Sequence, residues 1–209
     1  MRKITFNLST LHEHGDAWHQ FLCLRKRFFV DQMGWDIPND GQAEMDQYDT
    51  PQAHYSLVLD DLGRVIGGAR IAPTTARWGA STYMLRDALE GSLDAIPSGA
   101  LPHLIEDDGV WECTRLVIAH EVATQEDRTE ALLLIVSGLV EIAQANGGHQ
   151  LISLSPLPLM RALRQLGFGA TRLGTPYTSA EDGRKYAVLA MPAIPSARLS
   201  QSGRAIAAE

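Results

Sequence analysis

An acidic stretch with no basic residue is the first feature of this sequence that could do chemistry. Between Phe28 and Gly63 there is no Lys or Arg, while Arg25 precedes the stretch and Arg70 follows it. The acidic residues are Asp31, Asp36, Asp40, Glu44, Asp46, Asp49, Asp60 and Asp61. Such a run is usually a solvated loop. The alternative is a site for a small cation, in which inward-facing carboxylates would need arginine partners.

Cysteine and histidine give no comparable signal. Cys23 and Cys113 are too few for a disulfide framework, and we interpret both as small buried hydrophobic residues. The seven histidines show no metal-binding spacing with either cysteine. The sequence therefore predicts no metal site and no permanently bound cofactor.

The composition is that of an ordinary globular protein. The chain has 209 residues, 45% of them hydrophobic, and a formal net charge of −7. A general nucleic-acid binder usually carries the opposite sign. No N-terminal signal peptide is evident, and no apolar run reaches the roughly 20 residues of a membrane helix. We expect a cytoplasmic protein that contacts neither nucleic acid nor a membrane.

Hydrophobic periodicity indicates the elements that must position these side chains. It predicts strands near 3–8, 54–59, 65–71, 111–119, 151–154, 170–173 and 186–191. One helix should run from Asp16 to Gly34, a long one should follow the capping residue Thr124, and a short one should span 159–166. Residues 83–89 fit one or two helical turns. This order predicts an α/β fold of the α+β type, with one mixed sheet and helices on its faces. We expect a single domain over 1–192 and a loose tail over 193–209.

Four motifs, in order, carry a family resemblance. Arg25 is followed by Phe29 and by Gly34-Trp35, and Glu44-Met45-Asp46-Gln47-Tyr48-Asp49 forms an acidic block. A later strand ends in Arg70, and another contains Glu112-x-x-Arg115. Together these motifs resemble the acyl-homoserine-lactone synthases, the autoinducer synthases of bacterial quorum sensing.

The resemblance implies a fold and a reaction. The fold is similar to that of the GNAT acetyltransferases, a bent mixed sheet with splayed central strands that admit a thioester arm. The substrates would be S-adenosylmethionine and an acyl thioester, on acyl carrier protein or coenzyme A. The methionine amine would attack the thioester, and the methionine carboxylate would then close the lactone and release methylthioadenosine.

The resemblance also assigns roles at the S-adenosylmethionine end. Asp46 and Asp49 would hold the amino-acid part of this cation or order the loop around it. Arg25 and Arg70 would tie these carboxylates into a network and could contact the substrate carboxylate bidentately. Phe29 and Trp35 would form apolar walls for the adenine or the sulfonium. Plain core packing is the alternative for Phe29, and a helix-end anchor is the alternative for Trp35. Phe28 is expected in the core.

The strand with Glu112 and Arg115 should carry the acid–base chemistry. Amide formation needs a neutral amine, so a proton acceptor must lie within reach, directly or through water, and Glu112 is the candidate. Its alternative role is an ion pair with Arg115 or another arginine. Arg115 lies three residues further on, and therefore on the opposite face of an ideal strand. Sharing a network would require a bulge or a splayed sheet, so we assign Arg115 a mainly structural role.

The acyl chain and its carrier give less specific signals. Ser153 is the candidate hydroxyl at the position where many 3-oxo-acyl producers of the family carry a threonine. Candidate apolar pocket residues, most of them expected to be core, are Met84, Leu85, Leu89, Leu132, Ile135, Val136, Leu139 and Leu154. Acyl carrier protein is acidic, so it would need a local basic patch, which Arg161, Arg164 and Arg172 could supply. An ordinary solvated helix face is the alternative, and acyl-coenzyme A would then be the better donor.

Two other functions compete with lactone synthesis. One is a GNAT-like N-acyltransferase that uses acyl-coenzyme A and another amine, although residues 120–127 contain no glycine-rich pyrophosphate loop. The other is a non-catalytic relative that binds a nucleotide. The full set of motif residues argues against the second alternative.

Overall fold

The computed structural model describes residues 1–196, which form a mixed sheet covered by helices. The strands are β1 (Arg2–Asn7), β2 (His54–Leu59), β3 (Val65–Pro73), β4 (Val110–Ile118), β5 (Gln150–Pro156), β6 (Thr171–Arg172), β7 (Tyr177–Thr178) and β8 (Lys185–Pro192). The α-helices are α1 (Ala17–Arg25), α2 (Met84–Leu89), α3 (Gln125–Ala145) and α4 (Leu157–Gln165). Short 3-10 helices span Leu11–His14 and Ser98–Ala100.

The sheet order is β1-β2-β3-β4-β5-β8-β6, and β7 pairs with β8. Neighbouring strands are antiparallel except β4 and β5, which run parallel. Within the described residues, β4 and β5 pair only from Val110 to Glu112 on one side and from Gln150 to Ile152 on the other. Beyond that point β4 and β5 continue without pairing with each other. The central strands therefore splay apart, as predicted.

Helices cover both faces of the sheet because two adjacent glycines in β3 admit them. A Cβ at Gly67 would lie 3.1 Å from Ile135 of α3, whereas one at Gly68 would lie 2.9 Å from the Phe21 ring of α1. Successive strand residues point to opposite faces. Hence α3 packs on one side of β3 and α1 packs on the other.

The caps of α3 follow the sequence prediction. The Thr124 hydroxyl accepts the Asp127 backbone N–H at 3.0 Å and donates to the Asp127 carboxylate. Gly147, with φ of +80°, ends the helix in the left-handed conformation that favours glycine.

Several predicted boundaries were wrong. The helix predicted from Asp16 to Gly34 is α1 followed by a π-helical segment, Lys26–Gln32. Helix α4 begins at Leu157 rather than 159, because Pro158 is tolerated in a first helical turn. Strand β6 has two residues where four were expected, and β7, also two residues long, was not predicted. Such short strands leave no periodicity to detect.

Residues 193–196 of the predicted tail pack against the domain. Ala193 is buried and its N–H donates to the His149 carbonyl, and Ser196 is buried against Leu166. Residues 197–209 of the predicted tail lie outside the described residues. Across 1–196, no helix combines the length and apolarity that a membrane span requires.

Candidate active site

The arginines and carboxylates of the motifs meet in one buried network. Arg25 donates bidentately to Asp49 at 2.8 and 2.9 Å, and its Nε donates to Glu44 at 2.5 Å. Arg70 donates to Asp46 and lies 2.9 Å from Asp49. The side chains of Arg25, Glu44 and Asp49 are fully buried. The predicted pairing of Asp46 and Asp49 with arginines is therefore present.

Arg115 joins this network from β4. Its guanidinium lies 3.1 Å from Glu44 and 2.8 Å from Asp46. The register of β3 and β4 shifts between Gly68 and Arg70, so that Ala69 faces two β4 residues. Arg115 sits in this bulge with φ of +56°, a left-handed backbone that non-glycine residues rarely adopt. The bulge predicted as necessary for Arg115 to share the network is present.

Arginines and carboxylates balance in this network. Burial raises the pKa of Asp46, but Arg70 and Arg115 outweigh burial and hold that pKa below its ordinary value. Burial lowers the pKa of Arg70, and Asp46 with Asp49 reverses this effect. Asp46 and Arg70 therefore stay charged at neutral pH.

Sequence reasoning missed Glu44 as a site residue. Its carboxylate bridges Arg25 and Arg115, which approach from α1 and β4. Tyr55 was also missed, and its hydroxyl donates to Asp49 at 3.0 Å. Glu44 lies two residues before Asp46 in the acidic block, and that spacing was the available signal. Tyr55 lies in a strand, where an aromatic residue is normally read as core.

Aromatic rings next to the network line a large cavity. Phe29 stacks on Trp35 with centroids 5.0 Å apart, and the Arg115 guanidinium lies 5.4 Å from the centre of the Phe29 ring. Phe28, Phe29 and Trp35 all line the cavity. Phe28 is half-buried, packs against the core as expected and also reaches this wall.

This cavity has a volume of about 970 Å³ and fills the gap between the splayed strands. Residues from Thr114 to Ile118 of β4 form one wall, and residues from Leu154 to Pro156 of β5 form another. Asp46, Tyr48 and Arg115 reach it from the network. The volume falls at the upper end of the range for small-molecule sites, about 300–1,000 Å³.

A second, smaller cavity of about 70 Å³ lies behind the first, between β5 and α3. Ser153 lines it together with Val136 and Leu139 of α3. The two cavities share Thr114, Arg115, Leu116, Leu154, Ser155 and Leu159 as lining residues. Of the candidate apolar residues, Leu85, Leu89 and Ile135 line neither cavity and pack as core.

Glu112 occupies a different position from the one expected. Its carboxylate accepts the backbone N–H groups of Met84 and Leu85 at 2.9 and 2.8 Å, and so anchors the first turn of α2. Burial raises its pKa to about 7, against the opposing effect of these hydrogen bonds. Glu112 does not line the large cavity. Its alternative as the ion partner of Arg115 was wrong, because the Arg115 guanidinium pairs with Glu44 and Asp46 instead.

The basic patch lies at the edge of the large cavity. Arg161 and Arg164 are exposed on α4, and the neighbouring α4 residues Ala162 and Gln165 line that cavity. Arg164 also donates to the Ala170 carbonyl at 2.7 Å, which fixes its stem. Both arginines therefore face solvent next to the gap between the strands.

Comparison with known proteins identifies the fold and the family. Residues 9–198 match the family described as autoinducer synthase. The chain belongs to this family. An acyl-homoserine-lactone synthase from Acinetobacter nosocomialis is 30% identical over 166 residues, covering 77% of this chain and 85% of the relative. Proteins of this autoinducer synthase family are acyltransferases, so the prediction of an enzyme is confirmed.

Solved structures of the autoinducer synthase family superpose along most of the chain. TofI, in a ternary complex with an inhibitor and MTA (methylthioadenosine), is 27% identical with a TM-score of 0.73, covering 92% of each chain. BjaI, a CoA-dependent acyl-homoserine lactone synthase solved with SAM (S-adenosylmethionine) and isopentyl-CoA, is 20% identical with a TM-score of 0.71, covering 91% of this chain and 82% of BjaI.

The GNAT-like fold is confirmed beyond the family. A protein from Lactobacillus plantarum described as an N-acetyltransferase is 15% identical, with a TM-score of 0.55, covering 93% of this chain and all of the other. At this identity, as for BjaI, the likeness bears on the fold alone.

Proposed function

We propose that this chain transfers an acyl group from a thioester to the amine of S-adenosylmethionine and then forms an acyl-homoserine lactone, with release of methylthioadenosine. Beside family membership, one observation carries the proposal. A charge-balanced network of Arg25, Arg70 and Arg115 with three carboxylates forms the floor of a 970 Å³ cavity that opens between splayed strands.

The network supports recognition of a zwitterionic amino acid. Asp46 and Arg115 both line the cavity, so one carboxylate and one guanidinium face the same space. An ammonium would pair with Asp46, and a substrate carboxylate would pair with Arg115. Arg25, Arg70 and Asp49 hold these two groups from behind, because their charges are already paired within the network.

The stacked rings support a place for the adenosyl end. Phe29 and Trp35 present an aromatic wall next to the Arg115 side chain. Aromatic faces attract cations, so a sulfonium would be favoured along this wall. The family relative TofI binds MTA, which is consistent with an adenosyl site in this fold.

We propose that Glu112 accepts the amine proton indirectly. Thr114 lies two residues further along β4, on the same face, and lines the large cavity. A proton released in the large cavity would therefore pass by way of Thr114 to the Glu112 carboxylate. The pKa of Glu112, about 7, suits a group that must gain and lose a proton near neutral pH.

The acyl chain would extend into the smaller cavity. Its walls at Val136, Leu139 and Leu154 are apolar, and the Ser153 hydroxyl lies 2.9 Å from that of Ser155. This pair of hydroxyls is the polar feature next to which a 3-substituted acyl chain would lie. Its volume of about 70 Å³ would favour a short acyl chain.

Acyl carrier protein is the donor that the surface favours. Exposed Arg161 and Arg164 stand beside the gap through which a thioester arm would enter, and they would attract an acidic carrier despite the net charge of −7. Acyl-coenzyme A is the alternative, since BjaI is CoA-dependent. Both donors are cytoplasmic, so the proposal places the enzyme there, acting as a single domain over 1–192.

The test measures products directly. Purified protein is incubated with S-adenosylmethionine and a panel of acyl carrier proteins and acyl-coenzyme A esters, and lactone and methylthioadenosine are followed by mass spectrometry. We expect both products, and none from Arg70→Ala. Amide formation with other amines, but not with S-adenosylmethionine, would replace the proposal by a general N-acyltransferase. Arg161→Glu should lower turnover with carrier protein more than with coenzyme A esters.

A further inference from the structure

A third and very small cavity lies against Glu112. It has a volume of about 10 Å³, and we call it the Glu112 chamber. Its polar walls include Glu112, Arg70, Thr50, Thr82 and Thr114. About 10–15 Å³ of such space is enough for one water molecule, provided that polar partners surround it. The chamber therefore has the size and the polarity to hold a water beside the carboxylate.

The lining residues of the chamber range from buried to exposed. At the inner end Glu112 is 4% exposed, whereas at the outer end Trp78 is 57% exposed and Gln52 is also exposed. A hairpin closed by a β-bridge between Trp78 and Ser81 forms the outer wall. Gln52 fixes this hairpin by accepting the Arg77 N–H at 2.8 Å. A water in the chamber would thus be one step from solvent.

The chamber is separate from the large cavity. Tyr48 and Thr114 line both spaces, while Glu112 and Arg70 line the chamber and not the large cavity. The Tyr48 hydroxyl donates to Asp87 at 2.9 Å, which holds that side chain in the partition. Substrates that fill the large cavity would leave the chamber open.

The proposed reaction must release one proton to solvent in each turnover. S-adenosylmethionine carries an ammonium at neutral pH. When the C–N bond forms and the thioester C–S bond breaks, the nitrogen loses two protons in all, and the leaving thiolate takes one. Lactone closure by the carboxylate neither takes up nor releases a proton. The remaining proton must leave while the acyl chain and the adenosyl group occupy the large cavity.

We propose that the Glu112 chamber is the exit for this proton. This inference rests on the proposed function. Glu112 takes the proton from the amine side at Thr114, passes it to the chamber water, and the water delivers it to solvent between Gln52 and Trp78. Ala72, Gln52 and Trp78 form walls of this route. Changes at these residues should therefore affect turnover, although they touch no substrate.

The raised pKa of Glu112 agrees with this route. Burial raises it to about 7, so that the carboxyl group releases a proton readily to water near neutral pH. A carboxylate with its ordinary pKa would release it more readily but accept it less well.

Ala72 allows a test that fills the chamber. Ala72 is paired with Glu112 across β3 and β4, so the two side chains share a face, and Ala72 lines the chamber. Ala72→Val would replace the water by a methyl group. Ala72→Thr has the same shape but supplies a hydroxyl that can pass a proton on. Both residues favour strands, so the two variants differ by a hydroxyl in place of a methyl group.

We expect S-adenosylmethionine to bind the parent, Ala72→Val and Ala72→Thr with dissociation constants within about threefold of one another. With saturating substrates, Ala72→Val should turn over at least 10-fold more slowly than Ala72→Thr, and the acidic limb of its pH–rate profile should move to higher pH. Equal rates and equal profiles for the two variants would overturn the proton exit. Absence of lactone from the parent would instead overturn the proposed function, and full activity of Glu112→Gln would overturn the base assignment.

Discussion

Glu112 combines two tasks in one side chain. It anchors α2 through the N–H groups of Met84 and Leu85, and it keeps a pKa of about 7 in a buried position. Glu112→Gln preserves the shape and removes the proton acceptor. We expect S-adenosylmethionine affinity to stay within about threefold and amide formation to fall by about 10²–10⁴-fold, typical of a lost general base. Calorimetry and methylthioadenosine release measure the two quantities, and an equal loss in both would contradict the role.

The same residue should make stability depend on pH. Burial raises the pKa of Glu112 from 4.5 to about 7, so the folded state prefers the protonated form. The contribution of this carboxyl group to the free energy of unfolding is complete below pH 4.5 and is lost as the pH rises through 7. The whole contribution is about 3 kcal/mol. Glu112→Gln cannot titrate. Melting temperatures from pH 5 to pH 8 should therefore fall further for the parent than for the variant, and parallel curves would count against the raised pKa.

Glu44 is the residue whose removal should affect stability most within the network. Glu44→Gln leaves Arg25 and Arg115 facing fewer carboxylates in a buried place. Breaking a buried ion pair from one side costs about 3–5 kcal/mol. Glu141→Gln is the matched control, because its pair with Lys3 is half-exposed and should be worth less than about 1 kcal/mol. The free energy of unfolding of each variant is measured by urea titration. Equal values for the two variants would contradict the assignment of the network as buried and coupled.

At the scale of the elements, the bulge in β4 decides which residues meet. It turns Arg115 toward Glu44 and Asp46, on a backbone with φ of +56°. Both Arg115→Ala and Arg115→Gly lose the ion pairs, but only glycine adopts this backbone without strain. Arg115→Gly should thus be more stable than Arg115→Ala by about 1 kcal/mol. Arg70 has ordinary strand geometry, so Arg70→Gly should be less stable than Arg70→Ala. The same order of stability at positions 70 and 115 would contradict backbone strain at Arg115.

The sequence predicted some elements well and others poorly for physical reasons. The caps of α3 were predicted because Thr124 and Asp127 act locally. The π-helical segment after Arg25 was not predicted, since its 7 residues are too few to distinguish the apolar period of a π-helix from that of an α-helix. The sequence predicted that Arg115 needs a bulge or a splayed sheet to join the network. The choice between the two depends on the register of β3 against β4, which no local pattern gives. The chamber under Trp78 depends on contacts between distant segments, and no local pattern carries it.

For the whole molecule, the short pairing of β4 with β5 creates the space in which the proposed reaction takes place. Val136 of α3 lines the smaller cavity, so in the proposed reaction this side chain should limit acyl length. Val136→Phe should shift the products to shorter acyl chains, and Val136→Ala should shift them to longer ones. Mass spectrometry of products formed from a mixture of acyl donors measures both shifts. Identical product profiles for the two variants would place the acyl chain elsewhere.

The same pairing has a consequence for the family's evolution. The buried ion network draws all its members from residues 25–115, whereas Ser153, Arg161 and Arg164 come from the later part of the chain. A junction of three residue pairs joins the two parts of the sheet. Under the proposed function, exchange of the later part would therefore change which acyl chain is used and leave the ion network unchanged. We expect a chimera joined near residue 120 to make the acyl-homoserine lactone of the parent that supplies its C-terminal part.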